Sequence, residues 1–183
     1  GELRLLAVAL IVAVAAISSV GFFVDRMRGA LASQALELLG ADLVVASDAA
    51  PPDELAAHAA TLGLRTARTV NFPSMALAQA APGQSAPPAT LLASIKAVSS
   101  GYPLRGTLRV ASAPMVPDAP AAGVPAPGTV WVDAALANGL GLATGDSVQL
   151  GDSSFRVDRL ITVEPDRGTN FVNFAPRAMI GLD

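Results

Sequence analysis

The chain has 183 residues, with 12 Lys and Arg against 15 Asp and Glu and a formal net charge of −3. That balance gives no electrostatic reason to bind nucleic acid, and an aromatic share of 4% leaves no platform on which bases could stack. The absence of cysteine excludes a disulfide framework, thiolate metal sites and a cysteine nucleophile, and leaves the redox compartment open.

The first element is Leu5–Val24, LLAVALIVAVAAISSVGFFV, a run without a single charge. A helix rising ~1.5 Å per residue needs ~20 apolar residues to cross the ~30 Å hydrocarbon core of a bilayer, and this run meets that length. Ser18 and Ser19 are tolerated because a hydroxyl can bond back to the helix's own carbonyls. The expectation is a transmembrane helix. A signal peptide would place its cleavage site near Ala13-Val14-Ala15, but the apolar run continues well past it. A buried core helix would normally keep one polar face toward water, and none is visible. Counting cations gives Arg4 before the run and Arg26 and Arg28 after it, which weakly favours the wrong side for an exported domain. The chain does not start with Met, and the expectation is a piece of a longer protein.

Arg26–Leu39 continues as a helix outside the membrane. Met27, Leu31, Ala35, Leu38 and Leu39 form an apolar stripe beside polar Arg28, Ser33, Gln34 and Glu37. Gly40 stands where a left-handed cap ends a helix. The segment reads as a stalk, with packing against its own domain as the plainer alternative. Ala41–Ser47 is expected as a strand, with Leu43, Val44 and Val45 suited to burial. Pro52-Asp53-Glu54 starts a helix that runs to about Leu62 with Leu55, Ala59 and Leu62 inward, and Gly63 stops it. Leu64–Ala78 is extended. Val70 and Phe72 alternate, Met75 and Leu77 alternate out of phase with them, and a bulge at Pro73 would reconcile the two. Together these parts predict a βαβ unit. Gln79–Ala89 reads as a hairpin tip, and Thr90–Val98 as a returning strand with Leu91, Ala93, Ile95 and Ala97 on one face.

Ser99–Val110 leaves the sheet, and Ala111–Gly128, with prolines at 114, 117, 120, 125 and 127, reads as a connection. Thr129–Val132 is a strand, and Asp133 caps a short helix over Ala134–Asn138. Ser147–Leu150 and Ser154–Val163 form a hairpin around Gly151-Asp152. Glu164–Gly168 is a polar loop, Phe171, Val172 and Phe174 are extended, and Ala178–Ile180 is a last strand. The fold class is α+β. The expected divisions are a membrane helix and stalk (1–40), a βαβ subdomain (41–110), a Pro-rich connection (111–128) and an incomplete β-rich subdomain (129–183).

Chemistry is hard to place. His58, the only histidine, lies in the middle of the short helix, and a catalytic triad needs nucleophile, base and orienter together. Gly151-Asp152-Ser153 is similar to the nucleophile block of GDS-type esterases, but no histidine follows it, and a hairpin turn accounts for these residues. The carboxylate pairs Asp53/Glu54 and Glu164/Asp166 fall where acids suit a helix start or a solvated loop. No metal spacing and no phosphate-binding loop is present, so no catalytic, cofactor or metal residue is assigned.

The order of parts resembles the FtsX/MacB-type permeases of ABC transporters, in particular the YbbP-like branch. The resemblance covers nearly the whole chain. It is carried by Gly1–Phe23, Val24–Leu43, Arg65–Ala76 and Ser94–Val110, and less specifically by Thr129–Leu150. It implies a first transmembrane helix with a cytoplasmic N-terminus, in the bacterial inner membrane. It also implies a MacB-like periplasmic domain with a βαβ porter-like part and a small β subdomain. The implied role is non-catalytic mechanotransmission in contact with membrane lipid, driven by a cytoplasmic ABC ATPase subunit. The implied clients are lipids, lipoproteins, hydrophobic compounds or a periplasmic lipase or thioesterase. A dimer or pseudo-dimer is the implied assembly. Two other readings stand beside it: a single-span anchored binding or adaptor module, and an anchored esterase using Ser153.

Overall fold

The computed structural model describes residues 1–78, 89–167 and 175–182, with the side chains of residues 32–38 set aside. Residues 79–88 of the hairpin tip expected over Gln79–Ala89, and the extended residues Phe171, Val172 and Phe174, lie outside the described residues.

Helix α1 spans Glu2–Leu39 without interruption. At ~1.5 Å per residue it is a rod of ~57 Å, about twice the apolar thickness of a bilayer. Its Glu2–Leu31 portion is long and apolar enough to cross a membrane, and none of it is buried. Ser19 donates its hydroxyl to the carbonyl of Ala16 at 2.9 Å, so this serine leaves no stray polar group on the apolar surface. The stalk residues described up to Leu31 are exposed as well, so this part of the rod does not lie on the head. Gly40 ends the helix with φ +66°, the left-handed cap expected from sequence.

Residues 41–52 form no strand, and Leu43, Val44 and Val45 are exposed. The expected βαβ unit is therefore absent. A strand forms only where a neighbour completes its ladder, and among the described residues no such neighbour pairs with 43–45. Helix α2, Asp53–Thr61, is where the acids at its start place it, but it buries none of its side chains. Leu55 and Leu62, expected inward, are exposed. Strand β1, Thr69–Ala78, then pairs antiparallel with β2, Thr90–Val98.

The remaining elements are β3 (Arg109–Ala111), β4 (Ala119–Pro120), β5 (Thr129–Asp133), α3 (Ala134–Leu140), β6 (Ser147–Leu150), β7 (Ser153–Val163) and β8 (Arg177–Gly181). The sheet order is β4-β3-β7-β5-β8-β2-β1-β6, and β6 also pairs with β7. That last pairing closes six strands into a barrel, with β3 and β4 continuing from the far half of β7. Parallel pairing of β2 with β8 and antiparallel pairing of β8 with β5 join the stretches 69–98 and 129–181 in one sheet.

Closure gives the sheet an inside and an outside. The interior is packed with Ala93, Ile95, Val130, Val132, Val148, Val157, Leu160 and Ala178, and α3 plugs it with Leu136, Ala137 and Leu140. Asp133 accepts a hydrogen bond from the Leu136 amide at 2.8 Å, and Gly141 (φ +65°) ends α3, as its sequence signals require. Val157 and Leu160 both face inward although they are three residues apart. A break in register opposite Val130 and Trp131 leaves Asp158 as an extra residue and shifts the alternation.

No bulge occurs at Pro73. The β1–β2 register runs unbroken from Thr69↔Val98 to Leu77↔Thr90. Met75, on the same side of the strand as Pro73, accepts from the Gly151 amide at 3.3 Å, on the flank away from β2. The missing amide hydrogen of Pro73 therefore points to that flank, where β6 reaches only Ala76–Ala78, so no ladder bond is lost. The Pro-rich stretch 111–128 is also more than a connection. Ala121 and Val124 pack with Val98, Tyr102, Leu108, Val110, Trp131, Ile161 and Met179 in a second apolar cluster, on the outer face of the barrel.

Candidate functional site

The outer face carries the molecule's densest chemistry. Ser94, Lys96 and Val98 alternate with the interior residues of β2, so they face outward, yet Ser94 and Lys96 are buried. Lys96 Nζ donates to Tyr102 Oη at 2.8 Å, Glu164 Oε1 at 2.9 Å and Asp166 Oδ1 at 2.6 Å. An ammonium has three protons, and each has a partner. The ammonium also sits 4.5 Å from the Tyr102 ring centre. The other oxygen of Glu164 accepts from Arg177 Nε at 3.1 Å, and Arg177 Nη1 donates to Ser94 Oγ at 2.8 Å. The Tyr102 hydroxyl donates to Asp166.

Two cations therefore face two carboxylates, and Lys96, Glu164 and Arg177 have side chains no more than 3% exposed. A group of this kind persists out of water only when charge and hydrogen bonds are both satisfied. No buried side-chain nitrogen or oxygen among the described residues lacks a partner. Burial, and then the Asp166 carboxylate, push the Tyr102 hydroxyl well above its ordinary pKa, so it remains a proton donor. Beside this group Arg167 pairs with Asp133 at 2.9 Å, tying the same loop to the cap of α3.

The end of α1 meets this network directly. Gly40 is buried, and a Cβ built on it would stand 3.0 Å from Asp166 Cβ and 3.3 Å from Asp166 Cγ. The Gly40 carbonyl accepts from the Arg105 amide at 2.8 Å. The Arg105 guanidinium grips the Asp42 carboxylate with two bonds of 2.9 Å. The loop that carries Arg105 also carries Tyr102, so the helix exit is held between this loop and Asp166.

Over 174 residues, 95% of its length, the chain is 31% identical to a protein of Escherichia coli (strain K12) described as an uncharacterized ABC transporter permease, YbbP. This match supports the resemblance of the chain to the FtsX/MacB-type ABC transporter permeases. The chain spans about one fifth of that relative's length. No family model matches the chain, and no solved structure matches it.

Within this segment the histidine and the hairpin serine weighed as catalytic candidates lie on different elements. His58 is exposed on α2, and Ser153 is exposed at the start of β7 in the β6–β7 hairpin. No group of three or more metal-binding side chains occurs among the described residues. Asp53 and Glu54 sit in the exposed first turn of α2, as their positions suggest. Glu164 and Asp166 correct the sequence reading. Instead of solvating a loop, they close over Lys96 and Arg177. Sequence reasoning missed this network because its members lie 6 to 83 residues apart. One signal was available. Lys96 is the one charge in the strand TLLASIKAV, and a lysine buried there requires a counter-charge.

Proposed function

We propose that this chain is the membrane-anchored, extracytoplasmic portion of a non-catalytic ABC permease that works as a mechanotransmitter. A partner ATPase on the cytoplasmic side moves α1, and the rod carries that movement to the barrel head. The head then acts on lipids, lipoproteins, hydrophobic compounds or a periplasmic lipase or thioesterase. The N-terminus of α1 lies in the cytoplasm and the head in the periplasm of the bacterial inner membrane. Two such units, or two halves of one protein, work as a pair.

The observation that carries this reading is the continuity of α1. One uninterrupted helix of 38 residues begins in a span fit for lipid and ends buried against the head at Gly40. A flexible linker would absorb a displacement, whereas a hydrogen-bonded helix passes it on.

The test is a break in the rod. Ala35→Pro in the full permease removes a helical hydrogen bond and costs ~3 kcal/mol or more locally. The expected outcome is normal membrane insertion and ATPase binding with client handling lost. Client handling at wild-type level in this variant would overturn the reading.

A further inference from the structure

We propose that Asp166 is the contact through which the end of α1 sets the state of the buried charge network, so that the joint switches between two arrangements instead of bending. This rests on the reading of α1 as the moving part, and adds where in the head the movement is received.

Three observations meet at one place. Gly40 lies against Asp166 so closely that a single added carbon would stand 3.0 Å from Asp166 Cβ. The Asp166 carboxylate is held by Lys96 at 2.6 Å and by the Tyr102 hydroxyl. Lys96 belongs to β2, which pairs with β1 on one side and β8 on the other. Any shift of Gly40 toward the head must therefore displace Asp166 or be resisted by it.

The response is discrete for a physical reason. Lys96 is enclosed, so its ammonium cannot exchange a lost carboxylate for water without opening the outer face. The Lys96–Asp166 bond is either made or replaced by another set of partners, and packed interiors allow few intermediate positions. Electrostatics add to the coupling. The last carbonyls of α1 present the negative end of the helix dipole beside Asp166, and Lys96 offsets that repulsion. The position of the rod and the strength of the Lys96–Asp166 pair thus bias each other, as linkage requires. The grip of Arg105 on Asp42 and on the Gly40 carbonyl keeps the helix end aimed at Asp166.

Two glycines allow a controlled test. Gly40 (φ +66°) and Gly63 (φ +70°) share the same strained backbone, but a Cβ on Gly63 meets nothing within 4 Å. Gly40→Ala and Gly63→Ala are compared by amide hydrogen exchange across 90–105 in the full permease in lipid nanodiscs, without ATPase. Gly40→Ala is expected to speed exchange around Lys96 and Tyr102 about tenfold, and Gly63→Ala to leave it unchanged. Equal exchange in the two variants would overturn the proposal. Should Gly40→Ala fail to fold, Asp166→Asn reads the same coupling in reverse. With a spin label at Leu31→Cys, Asp166→Asn is expected to broaden the orientation of the stalk, and an unchanged spectrum would overturn the proposal. These readouts need no ATPase. A positive result here with client handling intact in Ala35→Pro would keep the joint and discard the transmission reading.

Discussion

Helix α1 and the barrel head solve opposite problems with the same kinds of residue. In α1, Leu3, Leu6, Phe22 and Phe23 are each at least 65% exposed. In the head, Val130, Val132, Val148 and Val157 are fully buried. The helix needs no partner strand because its backbone amides beyond the first turn bond within it, and its apolar surface suits lipid. The head must enclose its apolar groups in water, so it closes a sheet on itself. The difference teaches where charge can be kept. The rod has no charge between Leu5 and Val24, whereas the head encloses a complete set of ion pairs at the point where the rod arrives.

The sharpest way to break that comparison is to remove one member of the set. Lys96→Met leaves Asp166 without its cation and Glu164 with Arg177 alone, inside a closed face. Removing one partner of a buried ion pair costs ~3–5 kcal/mol. Denaturant unfolding of the head, followed by Trp131 fluorescence, should show a loss of that size, while α1 stays helical by circular dichroism. A loss below ~1 kcal/mol, the range of surface pairs, would mean that the network is solvated and its burial unimportant.

A core truncation ranks next. Leu136, fully buried, is the residue by which α3 seals the barrel. Leu136→Ala should cost ~2–5 kcal/mol, depending on how far the neighbours collapse into the space. The comparison is sharpened by Leu10→Ala in α1, whose side chain faces outward and is 65% exposed. The head's unfolding midpoint should be unmoved by that change. If Leu10→Ala destabilised the head as much as Leu136→Ala, α1 would be packed against it and could not be a free rod.

How much of this was legible in the sequence divides along the same line. The long apolar helix α1, the Gly40 cap, the Asp133-capped helix and the β6–β7 hairpin follow from residues within a few positions of one another, and all are present in the structure. Local patterns failed where a distant partner decides. Leu43, Val44 and Val45 have strand-forming side chains but, among the described residues, no neighbouring strand. Leu55 and Leu62 have the spacing of an inward face but stay exposed among the described residues. The alternation of Val70, Phe72, Met75 and Leu77 suggested a bulge, yet β1 is simply exposed on both faces over much of its length. Barrel closure, and with it the inner and outer faces of β2, depends on β8, some 80 residues away. The charge network inherits the same difficulty. Glu164 and Asp166 look like loop acids until the strand carrying Lys96 is placed beneath them.

The smallest expected effect concerns a pair at the head's periphery, Arg109 and Asp118, which shows the opposite regime from Lys96. Arg109 donates to Asp118 Oδ1 at 2.6 Å, and Thr162 donates to Oδ2 at 2.7 Å. These bonds, that of Arg109 first, lower the Asp118 carboxyl from 3.8 to about 2. A carboxyl whose pKa is lower folded than unfolded stabilises the fold above its unfolded value, and loses that contribution as pH falls through the folded one. The stability added by Asp118 should therefore be constant from neutral pH to about 5 and fade between about 4 and 2. The measurement is the difference in Tm between wild type and Asp118→Asn at each pH, which isolates the contribution of this carboxyl. That difference should narrow toward pH 2, and it should do so at low salt more than at high salt, since both partners are partly exposed. A difference that stayed constant down to pH 2 would show that the carboxylate's charge contributes nothing at this edge, in contrast to the enclosed pairs around Lys96.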